Sequence, residues 1–171
     1  MIFKIVKHNE VSEAQYTSYI AEWESTGELI VPYATMRKNL SFSQIQDKWA
    51  ESETKRAYQQ GFVPSTLYFM VDGQGRILGA IHFRHELNKN LLNNGGHIGY
   101  GIRPSERRKG YSKLMLTQML KMIKAKGYDK VLITCDEDNV ASAKTIEACN
   151  GIFSDRIESD GEWTRRYWIE L

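Results

Sequence analysis

The feature that most constrains the fold of this 171-residue chain is a strand–loop–helix–strand unit between residues 95 and 135. The segment "GGHIGYGIRP" is typical of a strand that ends at Pro104, and the loop "SERRKGYS" follows it. Apolar residues at helical spacing, from Met115 to Ile123, predict a helix over 112–126. The segment "DKVLITC" then predicts a short, nearly all-apolar strand of the kind that is buried on both faces. This order favours an α/β fold.

The loop of this unit has the chemistry of a phosphate site. It carries Arg107, Arg108 and Lys109 directly before Gly110, at the predicted start of a helix. Helix N-termini present unpaired N–H groups and the positive end of the helix dipole, and a glycine admits a ligand without a Cβ clash. The chain has no G-x-x-x-x-G-K-S/T loop and no G-x-G-x-x-G fingerprint. A Walker-type site is therefore excluded, and a Rossmann-type site is unsupported.

The other segments predict strands and helices on both sides of this unit. "MIFKIVKH" predicts a first strand, and Ser12 with Gln15 forms a capping box for a helix that ends at Gly27. A second helix is predicted from about residue 43 to residue 60, followed by a hairpin within "STLYFMVDGQGRILGAIHFRHEL". Asn139 is the expected N-cap of a helix through "NVASAKTIEACNG", and a hairpin closes the chain.

Composition is that of an ordinary globular protein, with 42% hydrophobic residues, 26% charged residues and a net charge of +2. No global positive field marks a nucleic-acid binder, and no apolar run reaches the roughly 18 residues of a membrane span. The first ten residues lack the apolar region of a signal peptide. Cys135 and Cys149 fit neither a metal motif nor a disulfide framework, and the histidine spacing matches no zinc motif. We expect one cytoplasmic domain over residues 1–171 with no metal, nucleic-acid or membrane partner, and a homodimer stays open.

Two motifs together resemble those of the GCN5-related N-acetyltransferase (GNAT) superfamily. "RRKGYS", residues 107–112, is similar to the family's acetyl-CoA loop Q/R-x-x-G-x-G/A, with Ser112 in the last, small position. "DNVASAKTIEACNGIF" is similar to a later motif of the family, and Asn139, Ser142 and Gly151 fall on its key positions. The resemblance implies an α/β GNAT acyl-CoA N-acyltransferase fold, with a bent mixed sheet of about seven strands flanked by helices.

The resemblance also implies acetyl-CoA as cosubstrate. Its pyrophosphate would lie on the backbone of residues 108–112, and one or two of the basic side chains would face the adenosine 3′-phosphate. The edge of the fourth strand, near residues 100–103, would pair with the pantetheine arm, and Gly99 and Gly101 would ease a bulge beside the thioester. The residues expected to bind the cosubstrate are Ile102, Arg103, Arg107, Arg108, Lys109, Gly110, Tyr111, Ser112, Asn139 and Ser142.

Catalytic residues are expected close to the fourth strand, where the family commonly places a base that is often a glutamate. His97 is the first candidate, since its reference pKa of about 6.5 suits removal of an ammonium proton, and Glu86 is the second. A polar hairpin without a catalytic role is the other interpretation of these two residues. Many relatives carry a tyrosine acid seven residues after the motif asparagine, where this chain has Ile146. A thiolate with a pKa of roughly 8–9 can leave unaided, and Ile146 could equally belong to the core.

Together these features predict an acetyl-CoA-dependent N-acetyltransferase, which is an acyltransferase. It would move the acetyl group to a primary amine of a small molecule, peptide or protein, by direct attack in a ternary complex. The alternative is a catalytically silent acyl-CoA-binding or sensing module of the same fold. A nucleic-acid-binding domain is a third hypothesis, which predicts steeply salt-dependent binding of DNA or RNA instead. The acceptor pocket is expected among the first two helices, the 87–94 loop and the final hairpin.

Overall fold

Seven strands form two antiparallel sheets in the computed structural model, which describes residues 2–171. The strands are β1 (Phe3–Lys7), β2 (Ser65–Asp72), β3 (Ile77–Arg84), β4 (Ile98–Ile102), β5 (Lys130–Asp136), β6 (Ile152–Ser159) and β7 (Glu162–Glu170). The first sheet has the order β1–β2–β3–β4, and the second has the order β5–β7–β6. The expected α/β fold with about seven strands is confirmed.

Six helices flank these sheets, and the predicted end signals of the long ones are in place. The helices are α1 (Glu13–Thr26), α2 (Phe42–Ser52), α3 (Arg56–Gln59), α4 (Lys89–Asn93), α5 (Tyr111–Ala125) and α6 (Val140–Glu147). Ser12 and Gln15 form the capping box of α1, and Gly27 ends it in the left-handed conformation with φ 68°. Asn139 caps α6. Within residues 2–171 we find no helix with the length and apolar character needed to span a bilayer.

The prediction of one continuous helix over residues 43–60 is wrong. α2 starts earlier, after a capping box at Ser41 and Gln44, and ends at Ser52. Glu53 then turns toward the end of β1, where one of its carboxylate oxygens lies 2.5 Å from His8 Nε2 and the other 2.7 Å from Lys7 Nζ. After these long-range contacts, helical structure resumes only as the four-residue α3.

Alternate residues of the first sheet build two separate cores. Leu67 and Phe69 of β2 face the side covered by α1 and α2. Tyr68 and Met70 face the opposite side, where they join Met115 of α5 and residues of the second sheet. This period of two follows from strand geometry. The strand order places β4 at the edge of the first sheet, next to β5 of the second sheet.

Candidate active site

β4 and β5 are neighbours whose backbones are joined at one end only. His97 lies just before β4, and its backbone N–H donates to Leu132 O (2.7 Å). The backbone N–H of Leu132 donates back to the imidazole Nδ1 of His97 (2.9 Å). Nearby, Gly95 N–H donates to Thr134 Oγ1 (2.8 Å). β4 and β5 belong to different sheets in the described chain. The two strands therefore flank a wedge that is closed at His97.

One edge of β4 presents its backbone groups to this wedge. The backbone N–H of Arg103 donates to Leu78 O on β3 (2.9 Å), and the backbone N–H of Arg84 on β3 donates to His97 O (2.7 Å). Because antiparallel strands bond through alternate residues, the residues in between, Tyr100 and Ile102 among them, direct their N–H and C=O groups toward the wedge. An extended ligand can add to such an edge as a further strand. Ile102, predicted to bind the cosubstrate, lies on this edge.

The glycines of β4 permit the close approach of a loop. They do not form a bulge, so the prediction of a bulge at Gly99 and Gly101 is wrong. The register between β3 and β4 runs without a shift from residue 79 to residue 83 of β3. A Cβ on Gly101 would lie 2.1 Å from Val31 O, so only glycine lets the loop after α1 lie against the strand. A Cβ on Gly99 would lie 3.5 Å from Arg84 Nη2.

Arg103 is an anchor inside the protein. Its buried guanidinium donates to Glu22 Oε2 of α1 and, at 3.0 Å each, to Ser18 O and Ser18 Oγ. Glu22 Oε1 also accepts the Ser105 N–H at 2.7 Å. Partial burial opposes ionisation of Glu22, but the bonds from Ser105 and Arg103 lower its pKa overall. The Arg103 side chain therefore fixes the loop. Its backbone N–H donates to Leu78 O and its backbone carbonyl accepts the Glu106 N–H at 2.8 Å, so a role of Arg103 toward the cosubstrate stays a prediction.

The three basic side chains of the loop differ in their partners. Arg107 forms two hydrogen bonds with the carboxylate of Glu28, at 3.1 and 2.7 Å. Lys109 Nζ lies 2.9 Å from Glu106 Oε2. Arg108 is exposed, has a positive φ of 64°, and has no side-chain hydrogen bond or ion pair within the described residues. Arg108 is thus the basic residue most accessible to a phosphate, whereas Arg107 and Lys109 would have to leave a carboxylate.

α5 begins at Gly110 without a side-chain cap. The other long helices of the described chain, α1, α2 and α6, have side-chain caps at Ser12, Ser41 and Asn139. Gly110 has φ 81°, and no atom lies within 4 Å of the position that its Cβ would take. Tyr111, the first helical residue, packs partly against the core beneath α5. An uncapped N-terminus with open space before it is the arrangement that binds anions.

The predicted residues of the second motif lie across the wedge from β4. Asn139 Oδ1 accepts the Ser142 N–H at 3.1 Å. Ser142 Oγ lies 3.0 Å from the hydroxyl of Tyr100, which reaches over from β4. Burial raises the pKa of Tyr100 to about 12, so this hydroxyl stays protonated. Ser112 Oγ of α5 lies 3.3 Å from Thr145 Oγ1 of α6. The fold thus brings both motifs to one wedge, although they are about thirty residues apart in sequence.

Ile146 belongs to the core. Its side chain is fully buried, in the cluster that also holds Met115 and Cys149. A Cβ on Gly151 would lie 2.4 Å from Ile146 Cγ2, so the chain after α6 packs tightly on this side chain. Of the two interpretations open for this position, the structure supports the packing role.

The two predicted bases are not directed at a common site. Burial, together with the Arg84 charge, lowers the pKa of His97 to about 4. Its Nδ1 accepts the Leu132 N–H, so the neutral ring carries its proton on Nε2 and keeps no free lone pair for an amine proton. Glu86 is exposed, and its carboxylate accepts a hydrogen bond from the Tyr58 hydroxyl at 2.7 Å. A catalytic role for either residue stays a prediction.

A cavity of about 470 Å³ lies on the α2 side of the first sheet. It is lined by α2, the loops around it, the ends of β2 and β3, and residues 88–91. Its large apolar residues include Met36, Leu40, Ile45, Trp49, Phe62, Leu67 and Leu91. Of the segments expected to line the acceptor pocket, α2 and part of the 87–94 loop contribute to the lining of this cavity. Neither α1 nor the β6–β7 hairpin contributes to this lining.

His82 is the cavity residue that the sequence reasoning missed. It lines the cavity from β3 and is paired in register with Gly99 of β4. Burial and the neighbouring Arg84 charge lower the pKa of His82 to about 3, so the imidazole is neutral at pH 7. Its side chain has no hydrogen-bond partner within residues 2–171. The alternation of strand faces puts His82 beside Arg84, and this pattern could have identified the pair from the sequence.

A family comparison agrees with this geometry. Residues 8–151 match the sequence model of the acetyltransferase (GNAT) domain. The chain belongs to this family. The resemblance in its two motifs is therefore confirmed. A comparison with curated proteins finds no match.

Solved structures share the fold of this GNAT protein at low sequence identity. An N-acetyltransferase from Staphylococcus aureus Mu50 is 16% identical with a TM-score of 0.67, over 99% of each chain. The ribosomal-protein-S5-alanine acetyltransferase from Vibrio fischeri is 14% identical with a TM-score of 0.65, over 98% of this chain and 91% of that one. A spermidine N-acetyltransferase chimera from Vibrio cholerae and hSSAT is 13% identical with a TM-score of 0.65, over 98% and 95%. These similarities concern the fold alone.

Proposed function

We propose that this GNAT protein is an acetyl-CoA-dependent N-acetyltransferase that transfers the acetyl group to a primary amine. The observation that carries the proposal is the uncapped start of α5 beside a free edge of β4. The helix start offers N–H groups and positive charge to a pyrophosphate. The strand edge offers backbone groups to the two amides of a pantetheine arm. Coenzyme A combines both chemistries in one molecule.

The residues present at the loop fit this ligand. The backbone N–H groups of Ser112 and Lys113 would donate to the pyrophosphate oxygens, because no side chain caps the helix. Arg108 would supply a cation that no carboxylate of the described chain neutralises. The open space before Gly110 lets the phosphates reach the backbone. Asn139 and Ser142 would flank the pantetheine from the α6 side of the wedge.

The reaction is direct attack of the amine in a ternary complex. Acetyl-CoA supplies the thioester carbonyl that the amine attacks. We assign the cavity as the acceptor site, since it adjoins β4 through Arg84 and Gly99. His82, which is neutral, would accept a hydrogen bond from the amine and orient it, and the amine would lose its proton to water. The Tyr100 hydroxyl would donate a hydrogen bond to the leaving sulphur. With a pKa of about 12 it is a weaker acid than a thiol, so full proton transfer from it is not required.

One observation favours a second candidate, a catalytically silent acyl-CoA-binding module. The Nδ1 lone pair of His97 is used inside the fold, and Glu86 lies outside the cavity lining. A silent module would bind coenzyme A and acetyl-CoA but release no free thiol with any amine. Thiol release across a broad amine panel therefore separates the two functions.

The phosphate site is tested by Gly110→Val, with Gly161→Val as the matched control. Both glycines have a positive φ (81° and 84°) and open space at the Cβ position, but Gly161 lies in the β6–β7 turn. Valine disfavours such a φ, so both variants lose some stability while only the first deforms the loop. Coenzyme A at 100 times its Kd should raise the Tm of the wild type and the control by about 5–10 °C.

Gly110→Val should show no such shift and no thiol release. If coenzyme A stabilises Gly110→Val as it does Gly161→Val, the loop is not the phosphate site and the proposal loses its main support. If the wild type and Gly161→Val bind coenzyme A but neither releases thiol with any amine, the silent module is the correct function.

A further inference from the structure

Arg84 is a guanidinium without a counter-charge at the end of β3. Its Nη1 donates to Gly95 O (2.8 Å) and Gly96 O (3.2 Å), two neutral carbonyls. It forms no ion pair with any carboxylate among residues 2–171. Burial lowers the pKa of the Arg84 guanidinium below its usual value, and no acidic neighbour opposes this effect.

Other partly or fully buried arginines of the chain are neutralised. Arg103 is paired with Glu22, and Arg166 forms two hydrogen bonds with Asp155. Burying a cation without an anionic partner costs free energy, so buried cations in proteins are normally paired with a carboxylate or with an anionic ligand. The exception at Arg84 therefore indicates an anion that arrives with a ligand.

The position of Arg84 fixes where such an anion would lie. The side chain lines the cavity, and its Nη2 lies 3.5 Å from the position of a Cβ on Gly99 of β4. A carboxylate bound to Arg84 would thus be next to the strand whose other edge faces the wedge. An amine on the adjacent carbon would be held within a few ångströms of the same strand, on the cavity face that also carries His82.

The rest of the cavity sets the character of the ligand. Its walls contain apolar and aromatic groups from α2 and the flanking loops, Trp49 and Phe62 among them. Three cationic side chains line it, Arg84 with Lys38 and Lys48, against one carboxylate. This balance attracts an anionic group and repels a polyamine. The volume of about 470 Å³ suits a small molecule with a large apolar side chain.

We propose that the acceptor is a free α-amino acid with a large apolar side chain, whose carboxylate binds Arg84. This inference rests on the proposed transferase function for the reaction, but not for the binding. The α-amine would face β4 and His82, and the side chain would fill the cavity beside Trp49. Arg84 is then the residue that determines acceptor specificity.

The test compares L-phenylalanine with L-phenylalaninamide, which has the same amine and side chain but no carboxylate. Binding of each is measured by calorimetry in the presence of coenzyme A, so that no turnover is needed. The proteins are the wild type, Arg84→Gln, Arg84→Lys and the control Arg156→Gln, which removes an exposed arginine on β6. Circular dichroism and Tm report whether each variant folds.

The wild type and Arg156→Gln should bind the acid at least tenfold more tightly than the amide. Arg84→Gln should weaken binding of the acid by about 10- to 100-fold and of the amide by less than threefold, because only the acid loses a charge-assisted bond. Arg84→Lys should give an intermediate loss for the acid, since lysine keeps the charge but not the planar fork. If Arg84→Gln does not fold, the inference is tested by whether Arg84→Lys loses affinity for the acid and not for the amide.

Equal binding of acid and amide by the wild type would overturn the inference. Equal losses for both ligands in the folded Arg84 variants would also overturn it, and would assign Arg84 to support of the Gly95–Gly96 backbone. Selective binding of the acid without thiol release from any amine would leave the inference standing and reject the transferase. Thiol release with spermidine or the amide, while L-phenylalanine neither binds nor reacts, would reject the inference and leave the transferase standing.

Discussion

His97→Asn tests whether His97 closes the wedge or carries a proton in catalysis. The imidazole Nδ1 accepts the Leu132 N–H at 2.9 Å, while the His97 N–H donates to Leu132 O at 2.7 Å. Asparagine Oδ1 can occupy the place of Nδ1, so the variant keeps an acceptor for Leu132 but cannot titrate. His97→Ala removes the acceptor as well. It should cost about 1–3 kcal/mol, the price of a buried N–H left unpaired.

The structure gives the sign and size of the pH effect. Burial lowers the pKa of His97 from 6.5 to about 4, so between these values the unfolded chain binds more protons than the folded protein. Stability is complete above pH 6.5 and is lost as the pH falls through this window. With these two pKa values the loss between pH 7.5 and pH 5.0 is about 2 kcal/mol. His97→Asn should not show this pH-dependent loss of stability, because asparagine does not titrate.

Urea unfolding at the two pH values measures the effect. The free energy of unfolding should fall by about 2 kcal/mol more in the wild type than in His97→Asn. Other histidines with lowered pKa, His82 among them, contribute equally to both proteins and cancel in the comparison. His97→Asn should also keep kcat within a few-fold. The reasoning is refuted if both proteins lose the same stability, or if kcat falls by about 10²–10⁴, the loss expected of a general base.

Two further substitutions address the chemistry and the packing of the site. His82→Ala is expected to lower kcat by about tenfold without changing the affinity for coenzyme A, because the amine loses one orienting hydrogen bond, as measured by thiol release and calorimetry; an unchanged kcat would remove His82 from the mechanism. Ile146→Tyr is expected to lower the free energy of unfolding by about 1–3 kcal/mol, because a larger polar ring must enter a fully buried position. A urea midpoint equal to that of the wild type would show that the ring finds space outside the core.

Features set by neighbouring residues were predictable from the sequence. Ser12 and Gln15 exchange hydrogen bonds across one helical turn, and Gly27 alone can adopt the left-handed end of α1 at little cost. The same holds for Gly110 at the start of α5, where the anion-binding geometry is a property of consecutive backbone groups. Such signals depend on bonds within a few residues and are therefore visible in the sequence.

Features set by distant residues were not predictable in this way. A helix was expected to continue to residue 60, yet α2 ends at Ser52, and the side chain of Glu53 bonds His8, 45 residues earlier in the chain. Arg103 belongs to the expected cosubstrate strand, yet its side chain turns inward to Glu22, 81 residues away. Gly101 is required by Val31 O, and no local pattern reveals that contact.

The two halves of the candidate site divide along the same line. The sequence by itself determined the proposed cosubstrate half, because residues 107–112 form one turn whose backbone would meet the ligand directly. Only the tertiary structure decided the proposed acceptor half, because the cavity is assembled from α2, β3 and the segment around residues 88–91. Whether Arg84 meets a carboxylate or stays unpaired depends on which side chains these distant segments bring beside it. That outcome is a property of packing, which no short stretch of sequence contains.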